Sequence, residues 1–303
     1  NPHRLHLGII GIELVKNNNT IASIKDIKNP SQSLDLWTGE IKSRFEFENV
    51  PVEIITCCHQ QTDMIACRII SDLLHTGRIK MKISFPYGNH NKFSPGYDFS
   101  EPDKHNTTIL DVESSGVYFL RQLDDEKYFI HMQWSKSANI ERGNKHNYYV
   151  VPASDKNTFE IGCLFSPALK KGKLPTFKKT RKNNRVCWSK FWKSGAAIDF
   201  SDCTDPRAFE LERRIVLSQY LTKIQCAGSL PPQETGLTYN SWHGKFHLEM
   251  HWWHAMHFIL WGRPELMEKQ LNYYFNIYDK AEATATIQGY KGVRWPKMVG
   301  PEG

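Results

Sequence analysis

No stretch of the 303-residue sequence approaches the roughly 20 apolar residues a membrane-crossing helix needs, the longest candidate being the short run around Gly8 to Val15. A spanning helix is therefore not expected. The seven cysteines (Cys57, Cys58, Cys67, Cys163, Cys187, Cys203 and Cys226) are odd in number and contain no C-x-x-C pair. That pattern argues against a zinc ribbon and against a disulfide framework, and the thiols read as reduced or buried. Missing too are a G-x-S-x-G elbow, a phosphate-binding Walker loop and a dinucleotide fingerprint, so serine-hydrolase and nucleotide chemistries fall away and no cofactor is expected. The sequence begins Asn1-Pro2 with neither an initiator methionine nor a basic and apolar leader. A signal peptide was thus removed, never existed or lies upstream, and the compartment stays open, the periplasm and the exterior included. Internal repeats and low-complexity tracts are absent, and nothing fixes the oligomeric state.

What is present suffices for two folded domains, with 40% apolar and 12% aromatic residues. The net charge of +7 is unevenly spread, because Lys170, Lys171, Lys173, Lys178, Lys179, Arg181, Lys182 and Arg185 crowd into one short segment. A nucleic-acid groove would interleave such charges with stacking aromatics, and only Phe177 lies among them. The segment reads as a solvated basic linker over 169–194, with no nucleic-acid partner.

Before it, from Leu5 to about Ser166, apolar residues recur with period two, as in Ile79 to Phe85 and Tyr128 to Trp134. Further short runs at Phe45–Phe47, Val52–Thr56, Met64–Ile70, Asn147–Val151 and Phe159–Phe165 are separated by Gly, Asn, Asp and Pro clusters. Many short strands without intervening helices indicate an antiparallel β-sandwich over 1–168. After the linker the period becomes helical. Asp205 and Pro206 open a helix carrying Phe209, Val216, Tyr220 and Ile224 up to Gly228. A second runs from about Phe246 to Trp261 and stops at Gly262, and Pro264 opens a third through Leu266, Met267, Leu271, Tyr274, Phe275 and Tyr278. The short Gly262 break makes the last two an αα-hairpin. Three helices cannot enclose a core and also bury their aromatic faces, so further helices or another chain are expected to cover them.

The densest constellation of chemistry runs from Thr235 to His254 and mixes Trp242, Trp252 and Trp253 with Asn240, His243, His247 and Glu249. A sugar site needs that mixture: a flat apolar surface for the ring face, and polar groups converging on its hydroxyls. A capped helix with core tryptophans explains the composition equally well. A metal is the rival reading, since His247, His251 and His254 fall within about 60° of one another on a helix. Seven residues of helix rise about 10.5 Å, however, so only a neighbouring pair such as His247 and His251 could share an ion. The order His-Leu-Glu-Met-His also differs from the zinc-protease H-E-x-x-H. A second cluster, Gln288 to Gly303, holds Arg294 and Trp295 on a loop broken by Gly and Pro, and the loop Pro231-Pro232-Gln233-Glu234 offers one more carboxylate.

Taken together, Pro232-Gln233-Glu234-Thr235-Gly236, Trp242 to Trp253 and Gly289 to Pro296 resemble the six-hairpin glycosidase superfamily, glycoside hydrolase family 65 first and the family 95 α-L-fucosidases more distantly. The resemblance covers both domains, with its informative motifs between about Ser194 and Gly303. It implies a β-sandwich, a helical linker and the opening helices of an (α/α)6 barrel over 195–303. In family 65 the segment similar to Gly244–Glu249 carries a Trp-Asp pair that holds the sugar beside the cleaved bond. Leu248-Glu249 stands there in this sequence, so Glu249 inherits the carboxylate role and the stacking ring has to come from Trp242 or Trp253. Arg294-Trp295-Pro296 resembles the family's Arg-aromatic-Pro stretch on the barrel rim, and Glu302 follows where that stretch carries another acid.

The resemblance thus implies a hydrolase, or a phosphorylase, that cleaves an α-linked glycan with inversion, and a carbohydrate partner. The expected subsite is Glu249, His247, Trp242, Asn240, Trp253, Arg294, Trp295, Glu234 and Glu302. Inversion needs an acid and a base or phosphate on opposite faces of the sugar, carboxyls standing roughly 6.5 to 9.5 Å apart. Nothing in the sequence matches the surroundings of the family's general acid, which is expected beyond Gly303. Two other readings stay open: a carbohydrate-binding or scaffolding module without turnover, and a metal-dependent hydrolase using His247 and His251.

Overall fold

A computed structural model describes residues 4–89, 91–135, 137–153 and 156–303. The strands, in chain order, are β1 (Ile9–Leu14), β2 (Ile27–Asp35), β3 (Glu40–Phe47), β4 (Val50–Cys58), β5 (Met64–Ile70), β6 (Ile79–Ser84) and β7 (His105–Glu113). They continue with β8 (Gly116–Leu123), β9 (Glu126–Trp134), β10 (Ala138–Arg142), β11 (Asn147–Pro152), β12 (Thr158–Ser166) and the two-residue β13 (Phe246–His247) and β14 (Met298–Val299). The helices are α1 (Phe177–Lys193), α2 (Ala208–Cys226), α3 (Leu248–Leu260), α4 (Glu265–Asn276) and α5 (Tyr278–Ile287).

Two compact units result, each discontinuous in sequence: 7–87 with 98–190, and 1–6 with 88–97 and 191–303. The first holds an eight-stranded antiparallel sheet in the order β2-β3-β4-β5-β12-β9-β8-β7 and a four-stranded one in the order β1-β6-β11-β10. Period-two patterning places Phe119 of β8 against Tyr148 of β11, ring centroids 4.8 Å apart, so the two sheets share an aromatic core. Every strand segment read from the sequence is a strand.

The basic segment is not a bare linker, because most of it is α1. Phe177 packs with Ile55, Cys57, Met64, Ala66 and Leu164 of the large sheet, and Trp188 is buried as well. Between those anchors the inward positions are Thr180 and Asn184, both fully buried. Asn184 donates to the Thr38 carbonyl at 2.6 Å and accepts from Gln60 at 2.8 Å. Buried Glu40 receives both Arg181 and Arg185, which consumes two of the cations that make the segment look solvated. Gly39 precedes it at φ +65, where an added Cβ would stand 2.1 Å from Trp188 Nε1.

In the second unit α2 starts at Ala208, two residues later than the sequence suggests, with Arg207 as an N-cap that makes no side-chain bond; the Asp205 carboxylate accepts the Arg207 amide at 2.8 Å in the turn before it. Gly262, at φ +71, ends α3, and α4 folds back along it, with Cys226, Ala255, Phe258 and Met267 as their shared core. Fully buried Arg263 sits at this turn and donates to the Phe191 carbonyl at 3.0 Å and to Gln219 Oε1 at 3.1 Å. The third expected helix is two, since Ile277 (φ −107, ψ 16) leaves helical geometry at the junction between α4 and α5. Its buried side chain joins Phe246, Tyr273 and Val299 in a second small core.

Candidate functional site

The loop 231–247 and the start of α3 are organised around Gln233, which is fully buried. Its amide nitrogen donates to the Leu237 and Tyr239 carbonyls, and its oxygen accepts the Ser241 amide at 3.2 Å. Gln233 also bridges to Phe246, so both ends of the loop are tied to one side chain. Gly236 lets the chain pass His254: it has φ +67, and a Cβ there would lie 2.6 Å from His254 Nδ1. His254 Nε2 contacts the Glu234 carbonyl at 2.6 Å. At the far end β13 pairs with β14, and Leu248 donates to the Lys297 carbonyl at 2.8 Å, which draws the 288–303 segment to the helix start.

Within this frame the expected residues fall into three groups. Glu234, Trp242 and His247 come together, and Asn240 stands on the same loop. His247 is 1% exposed, its Nδ1 stands 3.6 Å from Glu234 Oε2, and its ring meets the Trp242 ring edge-on at 5.8 Å. Asn240 is buried and donates to the Ser94 carbonyl at 3.0 Å. Among the described residues, Glu234 Oε2, Asn240 Oδ1 and both ring nitrogens of His247 have no hydrogen-bond partner. Burial holds the His247 pKa below its ordinary value, with the Glu234 carboxylate opposing that shift, so the ring is neutral near pH 7.

Glu249 and Trp253 form the second group, one helical turn apart on the outer side of α3, with Trp253 66% exposed. Glu249 Oε1 is 2.8 Å from Lys297 Nζ, and that contact raises the lysine pKa. The third group lies on the 288–303 segment, where Trp295 packs against the Phe246, Tyr273, Ile277 and Val299 core. Arg294 is exposed and donates to Gln288 Oε1, Trp295 packs edge-on against Tyr274 at 5.7 Å, and exposed Glu302 is placed by its backbone carbonyl accepting from Lys280.

The metal reading loses its second ligand. His251 Nδ1 contacts Tyr274 Oη at 3.0 Å and Nε2 contacts Gln270 Oε1 at 2.8 Å, so both nitrogens are engaged. Among the described residues no three His, Cys, Asp or Glu side chains converge as a metal-holding group.

Two neighbours of the site were not read from the sequence. Lys92 Nζ lies 3.3 Å from the centre of the Trp242 ring, a cation–π contact that occupies one face, and the Phe93 ring meets the indole edge-on at 5.6 Å. Both come from 88–97, far from α3 in sequence, and no periodicity announces them. Lys297 stands in the 288–303 cluster, where no motif gives it a role. Trp242 and His243 are consecutive residues with positive φ, 49° and 61°, a strained turn of the kind that collects at binding sites.

No protein-family model matches the chain, and no curated protein matches it. Solved structures do, among them two that match along nearly its whole length. One is a putative kojibiose phosphorylase from the human microbiome, 13% identical, with a TM-score of 0.64 over 96% of this chain and 41% of that one. The other is a bacterial glucoamylase complexed with acarbose, 9% identical, with a TM-score of 0.58 over 96% of this chain and 46% of that one. The chain spans less than half the length of either. At these identities the likeness is one of fold alone.

Proposed function

We propose that this chain belongs to a family 65-like carbohydrate-active enzyme that cleaves an α-linked glycan by single displacement, as a hydrolase or, second, a phosphorylase. Residues 1–168 would be its sandwich domain, 169–194 a helical linker, and 195–303 the opening helices of an (α/α)6 barrel. The fold likeness supports the class, since one neighbour is a putative kojibiose phosphorylase and the other a glucoamylase. One observation carries the site: Glu234 Oε2 and both ring nitrogens of His247, buried and unpartnered among the described residues, lie together beside Trp242. Such atoms are costly unless a polar ligand meets them, and sugar hydroxyls both donate and accept.

In this reading Glu249 and His247 bind hydroxyls of the sugar next to the cleaved bond and Asn240 and Glu234 orient them. Trp242 offers its second face, the first being covered by Lys92. Trp253, Trp295, Arg294 and Glu302 would serve outer positions. The general acid is assigned to none of these residues.

The test is product analysis with the intact gene product on a panel of α-linked disaccharides, with and without inorganic phosphate, reading the anomeric form of the first product by NMR. An inverted sugar is expected without phosphate for a hydrolase and an inverted sugar phosphate with it for a phosphorylase. Retained configuration would rule out single displacement. Saturable sugar binding without product would make the protein a binding module instead.

A further inference from the structure

A cavity of about 570 Å³ opens on the large sheet of the first unit, and none of the residues assigned above lines it. Its size falls in the range of roughly 300 to 1,000 Å³ typical of small-ligand sites. Strand register explains its floor: Ser31 of β2, Arg44 of β3, Glu53 of β4 and Ile70 of β5 are successive cross-strand partners and stand in one row. The wall on one side comes from a break in that register, because a bulge between Lys28 and Ser31, with Asn29 at φ 50, bends the edge strand β2. On the other side Asp72 and Asn157 rise where the Asn157 carbonyl accepts the Ser71 amide at 2.9 Å.

The chemistry of the lining selects the ligand. Arg44 is already paired with Glu53 at 2.7 Å, so its charge is spent within the floor. Glu46 and Asp72 carry no ion pair among the described residues, and they can only accept hydrogen bonds. Three carboxylates against one guanidinium line the cavity, which repels an anionic ligand. Asn29, Ser31 and Asn157 add side chains that both donate and accept. A simple cation would leave the amide donors of Asn29 and Asn157 unmet, so the complementary molecule is uncharged, with hydroxyls that donate to Glu46 and Asp72 and accept from the asparagines.

We infer that this groove is a second saccharide site for a neutral oligosaccharide. The inference rests on the groove's own donors and acceptors and goes beyond the activity proposed above.

The experiment is an amide-resolved NMR titration of the whole 303-residue chain with maltotriose, with trigalacturonate as the anionic control and spermidine as the cationic one. Saturable shifts at Asn29, Ser31, Asp72 and Asn157 with maltotriose alone are expected. The double variant Asp72→Asn, Asn157→Ala should weaken them roughly tenfold, with an otherwise unchanged spectrum certifying its fold. Absence of groove shifts at millimolar sugar, unchanged affinity in the double variant, or preference for spermidine or trigalacturonate would overturn the inference. Shifts confined to Trp242 and His247 would also overturn it while leaving the α3 site standing.

Discussion

Glu249 separates binding from folding more cleanly than any other residue of the site. Its contact with Lys297 is exposed on both sides, 50% and 64%, so the pair adds little stability. Glu249→Gln should therefore leave a urea melt within about 0.5 kcal/mol of the parent, while sugar affinity, followed by tryptophan fluorescence, drops roughly tenfold or more. A matched loss in both would make Glu249 structural.

Two buried histidines of the sheet unit give a second residue-scale expectation. His131 stacks on Tyr118 with 4.0 Å between ring centroids, and burial lowers its pKa from 6.5 to about 4. His105 falls to about 4 as well, through burial and then the nearby Arg121 guanidinium. A base whose pKa is depressed by folding binds more protons unfolded. The stability present above pH 6.5 is thus lost as pH falls toward about 4. His131 has no hydrogen-bond partner on either ring nitrogen among the described residues. His131→Phe should be within about 1 kcal/mol of the parent at neutral pH and should flatten the acid limb of a stability–pH curve. An unchanged acid limb would show that His131 does not titrate on unfolding.

At the scale of elements, the strands were legible because a half-buried sheet writes its period directly into the sequence: Met64–Ile70 is both the run read and the strand found. Helix α1 was not, because its inward face alternates Phe177 and Trp188 with the polar Thr180 and Asn184, and its cations overwhelm the pattern. The split between α4 and α5 was hidden for the opposite reason, since Ile277 keeps the helical spacing of apolar residues while its backbone departs from it. The docking of α1 on its sheet is testable. Glu40 is buried and serves both Arg181 and Arg185, so Glu40→Gln leaves two guanidiniums short of a countercharge and should cost roughly 2–3 kcal/mol in a denaturant melt. A loss below measurement would mean that Phe177 and Trp188 hold the helix without the ion pairs.

For the whole molecule, the sequence order concealed how the site is assembled. The segment 88–97 belongs with the helical unit although sheet residues flank it on both sides, and it brings Lys92 and Phe93 to Trp242. Motif spacing could find the residues of the 231–254 stretch, which are neighbours in sequence, but not partners from that distance. The helical unit also leaves Phe209, Phe275 and Ile287 more than 70% exposed, at 78%, 75% and 85%. If these faces are the inner contacts of a larger barrel, the 303-residue chain alone should bind a hydrophobic dye strongly, and Phe275→Ser with Ile287→Ser should reduce that signal. Dye binding unaffected by the pair would place the exposed surface elsewhere.

The most direct measurement is a crystal structure of the protein with a monosaccharide-sized imino sugar. The expected result is one pyranose-like ring within hydrogen-bond reach of Glu249 and His247, with Trp242 against it. A ring bound away from the start of α3, or a fully occupied ligand that leaves Glu234, Asn240 and His247 untouched, would contradict the site.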